Sequence, residues 1–297
     1  MGWLRYCGFV FCCFGGTASA ITIHDTSSPG YLTGNSAYTG VASILGTLNT
    51  GSQFNCTGAL VAPTVVVTAG HCVASASQWN VRFETASGSA TIGVSGSALH
   101  PLYANRTSSP NIQQFDIALL WLASSAPLDA AVYALSDGTL PLWYGDVAGS
   151  VVDQVGYGLG GNPSGALGVG VRRTAQNRLA GILGGEADQA LVTLHDFSSA
   201  NEPRNFGLIA AGDSGGPMFF SNGQNTNVII GIASATSIPA VMSGPYQTGT
   251  HFGIHTNVFE PLTRNWLTTA MIATPEPGSA LLLVSGITVL ALLRRRR

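Results

Sequence analysis

The segment GDSGGP around Ser214 fits either a flexible turn or the location of a reactive hydroxyl. Glycine permits the positive φ that a tight turn needs, so the composition alone fits a turn. A reactive serine requires in addition a base, an acid that orients the base, and two amides directed at one point. The glycines on both sides of Ser214 allow the amides of Gly212 and Ser214 to point into one pocket, as an oxyanion site requires.

Two further segments offer the base and the acid. His71 stands directly before Cys72 at the end of the apolar run 58–70, and a pinned strand end suits a general base because proton transfer depends on accurate placement. Asp116 opens DIALLWL, where a carboxylate among apolar neighbours needs a dedicated partner. A histidine N–H would serve as that partner and hold the ring in the tautomer that accepts a serine proton.

The elements that must position these residues are mainly strands. Short runs rich in Val, Ile and aromatic residues, separated by Gly, Ser, Asn and Pro, are typical of strands, and many of them favour a barrel or sandwich. Only residues 259–273 have an apolar stripe of helical period. The predicted strand runs are 41–48, 58–70, 79–84, 116–122, 151–158, 190–195 and 227–234.

The segments TAGHC, DIALL and GDSGGP, in that order, resemble the motifs of the trypsin/chymotrypsin family of serine endopeptidases. The resemblance covers about residues 35–272. It implies an all-β fold, a double six-stranded antiparallel β-barrel with a C-terminal helix and an active cleft between the barrels. It implies His71 as general base, Asp116 as its orienting acid and Ser214 as nucleophile, with the amides of Gly212 and Ser214 as the oxyanion hole.

The expected activity is hydrolysis of peptide bonds in a protein or peptide substrate through an acyl-enzyme, without a cofactor or a metal. An α/β-hydrolase is a second interpretation of residues 212–216, which also satisfy G-x-S-x-G. That fold needs an acid between the serine and a later histidine, and residues 215–250 contain neither Asp nor Glu. The alternative that stays open is a catalytically idle family member that serves as a surface binding or adhesion module.

Substrate specificity is the next property that the resemblance addresses. The family position six residues before the nucleophile lies at the base of the primary specificity pocket, and here it is Leu208 rather than an acid. An apolar floor favours a hydrophobic P1 side chain, and an acidic P1 residue paired with His255 is the alternative. Ala210 stands where the family usually has a cysteine. The expected pocket residues are Leu208, Ser234, Ala235, Thr236 and Gly253, with Ser234 also close to the orienting acid.

The acid directly before the nucleophile, Asp213, raises the question of activation. In the family this carboxylate pairs with a newly exposed N-terminal amine, and cleavage after Ala20 would expose the amine of Ile21. The segment that leads from Ile21 to the first strands is longer than is usual in the family. Two alternatives therefore remain: Asp213 pairs within the chain, or residues 21–35 are a propeptide.

Both ends of the chain have the composition of targeting segments. Residues 1–20 contain one arginine, an apolar run and a small-residue ending, which is typical of a secretory signal peptide rather than a membrane anchor. Residues 274–297 contain PEP, an apolar run and four arginines, and they resemble the PEP-CTERM sorting signal of Gram-negative bacteria. This resemblance implies an exosortase-type processing enzyme, transient contact of the hydrophobic helix with the inner membrane, and export to the envelope or the medium. A simple C-terminal anchor is the alternative.

Composition agrees with an exported globular domain over residues 21–273, which we expect to be a monomer. Charged residues make up only 9% of the 297-residue chain and lysine is absent, which argues against a nucleic-acid partner. Three of the five cysteines fall within residues 1–20, leaving Cys56 and Cys72 as an even pair. In an oxidising compartment this pair predicts one disulfide, since His71 alone does not complete a metal site around them.

Overall fold

The structure is a computed structural model of the 297-residue chain. It describes residues 21–28, 30–34, 36–104, 112–145, 149–162, 165–184, 189–199, 201, 203–220, 228–237 and 250–272. The expected signal peptide, residues 1–20, and the expected sorting signal, residues 274–297, lie outside the described residues. Within the ranges given above, no helix combines the length and the apolar character that a membrane crossing requires.

Strands make up most of the regular structure in the described residues. In chain order they are β1 (Thr22–Ile23), β2 (Val41–Thr47), β3 (Gln53–Ala62), β4 (Val65–Thr68), β5 (Gln78–Thr85), β6 (Gly88–Leu99), β7 (Ala118–Leu122), β8 (Ala134–Leu135), β9 (Val151–Gly156), β10 (Gly160–Asn162), β11 (Gly165–Leu167), β12 (Arg173–Leu183), β13 (Ala190–Asp196), β14 (Gly207–Leu208), β15 (Pro217–Phe220), β16 (Val228–Thr236) and β17 (Thr250–Asn257). The helices are α1 (Gly70–Ala74), α2 (Pro101–Ala104) and α3 (Pro261–Ile272), and a 3-10 turn spans Ile112–Phe115.

The first half of the chain closes into a six-stranded antiparallel barrel in the order β2-β3-β4-β7-β6-β5. Strands β4 and β7 are buried along their whole length. Both faces of these strands are covered, because successive side chains point to opposite sides. Val66 and Leu120 line the barrel interior, while Val65 and Trp121 pack against the second half of the chain. The predicted run 58–70 corresponds to two strands, β3 and β4, joined by a turn.

The second half of the chain forms another six-stranded antiparallel barrel. Its strands follow the order β15-β9-β12-β13-β17-β16, and β15 pairs with β16 to close the ring. Strand β8 adds to β16 in parallel outside this ring. With α3 inside the predicted helical run 259–273, the expected all-β fold of two six-stranded antiparallel barrels and a C-terminal helix is confirmed.

A shared hydrophobic cluster joins the two barrels. It combines Val65 and Trp121 from the first barrel with Tyr157 and Phe219 from the second, and Leu267 of α3 packs into the same cluster. These side chains are almost entirely removed from solvent. Burial of apolar surface on this scale favours a single docked arrangement, so the loops at the seam between the barrels are held against one another.

The segment that precedes the first barrel belongs to the second. Strand β1 lies between β10, to which it is parallel, and β14, to which it is antiparallel. Ile21 is fully buried, and the Tyr31 hydroxyl donates to its carbonyl oxygen at 2.7 Å and accepts the amide of Gly161 at 2.8 Å. The start of the long lead-in noted in the sequence is therefore a short strand with its own partners.

The two remaining cysteines form a disulfide, as expected from their number. Cys56 of β3 bonds to Cys72 of α1, sixteen positions later in the chain. The bond ties the end of the β3–β4 hairpin to the helical turn that contains His71. This connection restricts the backbone of that turn in the folded protein and the loop between the two cysteines in the unfolded chain.

Replacing both cysteines with alanine is expected to lower the free energy of unfolding by about 3 kcal/mol, the value typical of a closed loop of about 15 residues. Urea denaturation followed by tryptophan fluorescence measures the change. Reduction of the unmodified protein is the matched control and should give a similar loss. An unchanged denaturation midpoint in both cases would contradict a stabilising role for the bond.

Candidate active site

His71 lies in α1 directly after β4, at a place where its backbone is strongly restrained. The next residue, Cys72, is held by the disulfide, and its carbonyl oxygen accepts the Trp79 indole N–H at 3.2 Å. The His71 side chain remains 28% exposed. The imidazole is thus presented at the seam by a fixed backbone, which is the property that a proton-transferring group requires.

The carboxylate of Asp116 lies between the 3-10 turn and β7 and is almost fully buried. Its Oδ1 accepts the backbone N–H of His71 at 2.7 Å, and its Oδ2 lies 2.7 Å from His71 Nδ1. The hydroxyl of Ser234 donates to the same Oδ2 at 2.6 Å. Because an ionised carboxylate only accepts hydrogen bonds, the proton of the neutral ring is assigned to Nδ1 and Nε2 is the acceptor.

Close packing brings Asp116 to this position. A side chain at Gly70 would lie 3.1 Å from Asp116 Oδ1 and 2.9 Å from the ring of Tyr103. Glycine at residue 70 therefore allows the Asp116 carboxylate and the Tyr103 ring to lie close to the start of α1. The hydroxyl of Thr256 in β17 donates to the Asp116 carbonyl oxygen at 3.1 Å, which connects the second barrel to the same residue.

Ser214 lies in the turn between β14 and β15 and contacts the first barrel. Its carbonyl oxygen accepts the amide of Thr57 at 2.8 Å and lies 3.7 Å from Cys72 Sγ. The next residue, Gly215, has φ +84°, and a Cβ there would overlap the Thr68 hydroxyl at the end of β4. The structure thus brings Ser214 to the strand end from which α1 and His71 continue.

Two amides of this turn have defined directions. The carbonyl of the residue before Gly212 accepts the Leu159 amide at 2.6 Å, and the carbonyl of the residue before Ser214 accepts the Gly216 amide at 2.7 Å. In a trans peptide the N–H points away from the carbonyl, so the amides of Gly212 and Ser214 face away from these partners. Gly212 has φ +90°, a conformation that glycine adopts without strain.

Asp213 is fully buried next to the start of β1. Its Oδ2 accepts the backbone nitrogen of Ile21 at 2.8 Å and the amide of Ala210 at 2.8 Å, while Oδ1 accepts the amide of Gly158 at 2.9 Å. Burial raises the pKa of Asp213 to about 6, although these N–H donors act in the opposite direction. The structure therefore places the Ile21 nitrogen directly against this carboxylate.

The residues expected to line the specificity pocket come from three strands. Thr236 pairs with Gly253, and Ala235 pairs with Ile254, so the wall that begins at Ser234 lies beside the Gly253 segment. Leu208 is fully buried in β14, where it pairs with Thr22 of β1. Strands β16 and β17 are neighbours in the second barrel, whereas β14 pairs with the N-terminal strand β1 in a separate small sheet.

Apolar and uncharged groups surround Gly253. A Cβ there would meet the Thr193 hydroxyl at 2.9 Å, Ile209 Cγ1 at 3.2 Å and His255 Cε1 at 3.4 Å. His255 is fully buried, and burial lowers its pKa to about 3 despite an opposing effect of the Leu191 backbone. The imidazole is consequently neutral at neutral pH, and it adds no positive charge to this part of the barrel.

Three buried residues around the site did not stand out in the sequence: Thr57, Tyr103 and Thr256. Threonine is ordinary in a strand, and the contacts of these residues depend on the register between distant segments. The sulfur atoms of Cys56 and Cys72 and the His71 ring lie within 4.8 Å of one another, but disulfide sulfurs are not the thiolates that bind metals. No sequence signal would have identified the three residues.

Comparisons with known proteins agree with the fold. HL collagenase has a TM-score of 0.58 at 19% sequence identity, over 82% of this chain and 98% of its own. Neuropsin, a serine protease expressed in the limbic system of mouse brain, has a TM-score of 0.57 at 21% identity, over 82% of this chain and 99% of its own. At these identities the two structures establish the fold. The search of curated proteins found no match.

The sequence profile of the trypsin family gives the assignment that the structures alone do not. It matches residues 32–259, which include the two barrels and the segments around His71, Asp116 and Ser214. The match covers well over half of the chain. The chain belongs to the trypsin family of serine endopeptidases.

Proposed function

We propose that the protein hydrolyses peptide bonds through an acyl-enzyme on Ser214, with His71 as general base and Asp116 as the residue that orients it. The observation that carries this proposal is the double contact between Asp116 and His71, one to the backbone and one to Nδ1, each 2.7 Å long. Two contacts fix both the position and the tautomer of the ring, which leaves Nε2 to accept a hydroxyl proton.

In the proposed reaction, Ser214 Oγ attacks the carbonyl carbon of the substrate peptide while His71 Nε2 takes the hydroxyl proton. The carbonyl π electrons move to oxygen and form an oxyanion. When the C–N bond breaks, the imidazolium returns the proton to the leaving amine, and the acyl group stays on Ser214. Water then attacks the ester with the same proton transfers, which releases the acid and restores the serine.

The amides of Gly212 and Ser214 are the proposed donors to the oxyanion. Support comes from the N–H groups of Leu159 and Gly216, which donate to the carbonyls of the two peptide units and so direct the N–H groups of Gly212 and Ser214 to the opposite side. Donors that are oriented before the reaction stabilise the developing charge without reorganisation. Water is the only co-reactant in these steps.

The proposed P1 preference is hydrophobic. The pocket would be lined by Leu208, Ser234, Ala235, Thr236 and Gly253. Leu208 is apolar and buried, and the groups around Gly253 carry no charge at neutral pH. An acidic P1 side chain would need a cation, and the low pKa of the buried His255 argues against that role.

The proposed mature chain begins at Ile21. Its nitrogen lies 2.8 Å from Asp213 Oδ2, so an amine freed there would meet a buried carboxylate without rearrangement. An ammonium group next to Asp213 would offset the cost of burying its charge. Removal of residues 1–20 would then also activate the enzyme, since Asp213 directly precedes Ser214.

The proposed organisation is a signal peptide at residues 1–20, the protease domain at 21–273 and a PEP-CTERM sorting signal at 274–297. The disulfide supports an oxidising compartment outside the cytoplasm. We propose export from a Gram-negative cell to the envelope or the medium, with an exosortase-type enzyme that processes the C-terminal segment after transient contact with the inner membrane. We also propose that the protein is a monomer and that it binds protein or peptide substrates.

A fluorophosphonate probe is expected to label Ser214, and Ser214→Ala should abolish both labelling and peptidase activity, with a loss of about 10⁴-fold or more in kcat. Mass spectrometry of the labelled peptide identifies the modified residue. Ser95→Ala is the matched control, because Ser95 lies on the first barrel and bonds to Trp121. An unlabelled, properly folded wild-type protein would instead indicate the idle binding module.

Substrates with a hydrophobic P1 residue are expected to have a kcat/KM at least about tenfold above those with Asp or Glu, since one unpaired charge in an apolar pocket costs more than 1.4 kcal/mol. A peptide library varied only at P1 measures this ratio at pH 7. A preference for acidic P1 residues that His255→Leu abolishes would support the opposite assignment.

At pH 7 the chain that starts at Ile21 is expected to have a larger free energy of unfolding than one that retains Ala20. The pKa of Asp213 in the folded protein, about 6, exceeds its ordinary value of 3.8. The chain that retains Ala20 therefore loses stability as the pH rises from 3.8 to about 6. The difference should therefore shrink as the pH falls from 6 towards 4. Urea denaturation of both forms measures it.

Asp213→Asn in both forms is the control for the activation proposal, and it should remove the pH dependence of the difference. Peptidase activity at pH 7 should be higher for the chain that starts at Ile21 than for the chain that retains Ala20, as is expected for stability. Equal activity and stability in the two forms at all pH values would contradict the role proposed for the Ile21 amine.

A further inference from the structure

We propose that Thr57 positions the oxyanion loop, defined as residues 211–216, and thereby sets the directions of the amides that stabilise the transition state. The inference rests on the proposed function of those amides. Thr57 belongs to β3 of the first barrel, directly after Cys56, and is fully buried. The loop belongs to the second barrel, so the contact crosses the seam.

The hydroxyl of Thr57 has two partners, and their chemistry defines its direction. It donates to the carbonyl oxygen of Gly212 at 3.0 Å and accepts the backbone N–H of Tyr157 at 3.0 Å. A hydroxyl has a single proton, and a carbonyl oxygen can only accept while an N–H can only donate. The arrangement is therefore unique, and the hydroxyl links the oxyanion loop to the end of β9.

The backbone of Thr57 holds the same loop at a second point. Its N–H donates to the Ser214 carbonyl oxygen at 2.8 Å, and its own carbonyl oxygen accepts the Thr68 hydroxyl at 2.8 Å. One residue thus binds the carbonyls of Gly212 and Ser214, the two residues whose amides are the proposed oxyanion donors. Its methyl group also lies 3.4 Å from the position that a Cβ on Gly216 would occupy.

The contact with Gly212 matters because glycine offers little resistance to rotation of the neighbouring peptides. The peptide that follows Gly212 is held at both ends, by the Thr57 hydroxyl on its oxygen and by the Ala210 carbonyl on its N–H at 3.0 Å. Without the hydroxyl, the oxygen end of this peptide loses its partner next to a residue with φ +90°. This peptide lies between the two peptides that carry the Gly212 and Ser214 N–H groups, so its rotation would change the backbone torsions at Gly212 and Asp213 and with them the relative directions of the two donors.

The geometry assigns Thr57 a role distinct from that of the Ile21–Asp213 contact. Asp213 is anchored by the N-terminal strand and by the second barrel, whereas Thr57 holds the neighbouring residues from the first barrel. A loop held from both sides of the seam keeps its donors oriented before substrate binds. Thr57 is accordingly a positioning residue, since it acts on the reacting atoms only through Gly212 and Ser214.

The test compares Thr57→Val, which removes the hydroxyl and keeps the shape, with Thr57→Ser, which keeps the hydroxyl. The matched control is Thr39→Val. The Thr39 hydroxyl also donates to a carbonyl, that of Asp129 at 2.8 Å, and accepts an amide, that of Ala131 at 3.0 Å, but it lies just before β2 and both of these partners are outside the oxyanion loop. Each valine variant loses a hydroxyl that donates to one carbonyl and accepts one amide, so a loss of activity caused only by lower stability should occur in both variants.

We expect Thr57→Val to lower kcat by about 10- to 100-fold with KM changed less than about threefold, because the loss falls on transition-state stabilisation. Thr57→Ser should retain most of kcat, and Thr39→Val should retain kcat while its melting temperature falls. The inhibition constant of a peptide trifluoromethyl ketone, which forms a tetrahedral adduct, should rise in Thr57→Val in parallel with the loss of kcat.

Equal kcat values for Thr57→Val and Thr39→Val, or an equal loss in Thr57→Ser, would overturn the inference. Amide hydrogen exchange gives a readout that does not depend on turnover: peptides covering residues 208–216 should exchange faster in Thr57→Val than in Thr39→Val. Unchanged exchange in that comparison overturns the positioning role. A wild-type protein without peptidase activity but with the expected exchange pattern would overturn the proposed function alone.

Discussion

The buried carboxylate of Asp116 is the interaction on which the rest of the site depends. A charge that is withdrawn from water is tolerated only when donors occupy its oxygens, and the N–H groups of His71 and the hydroxyl of Ser234 meet this requirement. The first two donors come from the first barrel and the third comes from β16 of the second. Satisfying one carboxylate therefore requires both barrels to dock in a single register.

The same seam tolerates very few changes of side-chain size. At Gly70 and Gly215, a methyl group would meet the site residues or the end of β4. Thr57 adds polar contacts across the gap, and the shared apolar cluster around Tyr157 and Phe219 excludes solvent behind it. Close packing and complete hydrogen bonding act together here, because a hydrogen bond of correct length is possible only where the backbones can approach.

The sequence was sufficient to predict the fold class, the disulfide and the segments that meet at the seam, because short motifs and a cysteine count carry that information. Strand β12 was not predicted, since two of its buried positions are the polar residues Arg173 and Asn177. The Arg173 side chain donates to the carbonyl oxygen of Gly168 and that of Asn177 to the carbonyl oxygen of Gly207 in β14, so polar groups replace the usual apolar alternation. Contacts such as those of Thr57 depend on inter-strand register, and local sequence patterns do not encode it.

The division of the site between two barrels has a consequence for the cell that makes the protein. His71 and Asp116 belong to the half of the chain that is synthesised first, whereas Ser214 lies in the middle of the second barrel, after β9, β12 and β13 and before β15, β16 and β17. A nascent chain with only its first half folded thus contains His71 and Asp116 but lacks the Ser214 hydroxyl. In the proposed mechanism, peptide hydrolysis becomes possible only after both halves of the chain have been synthesised and the two barrels have joined.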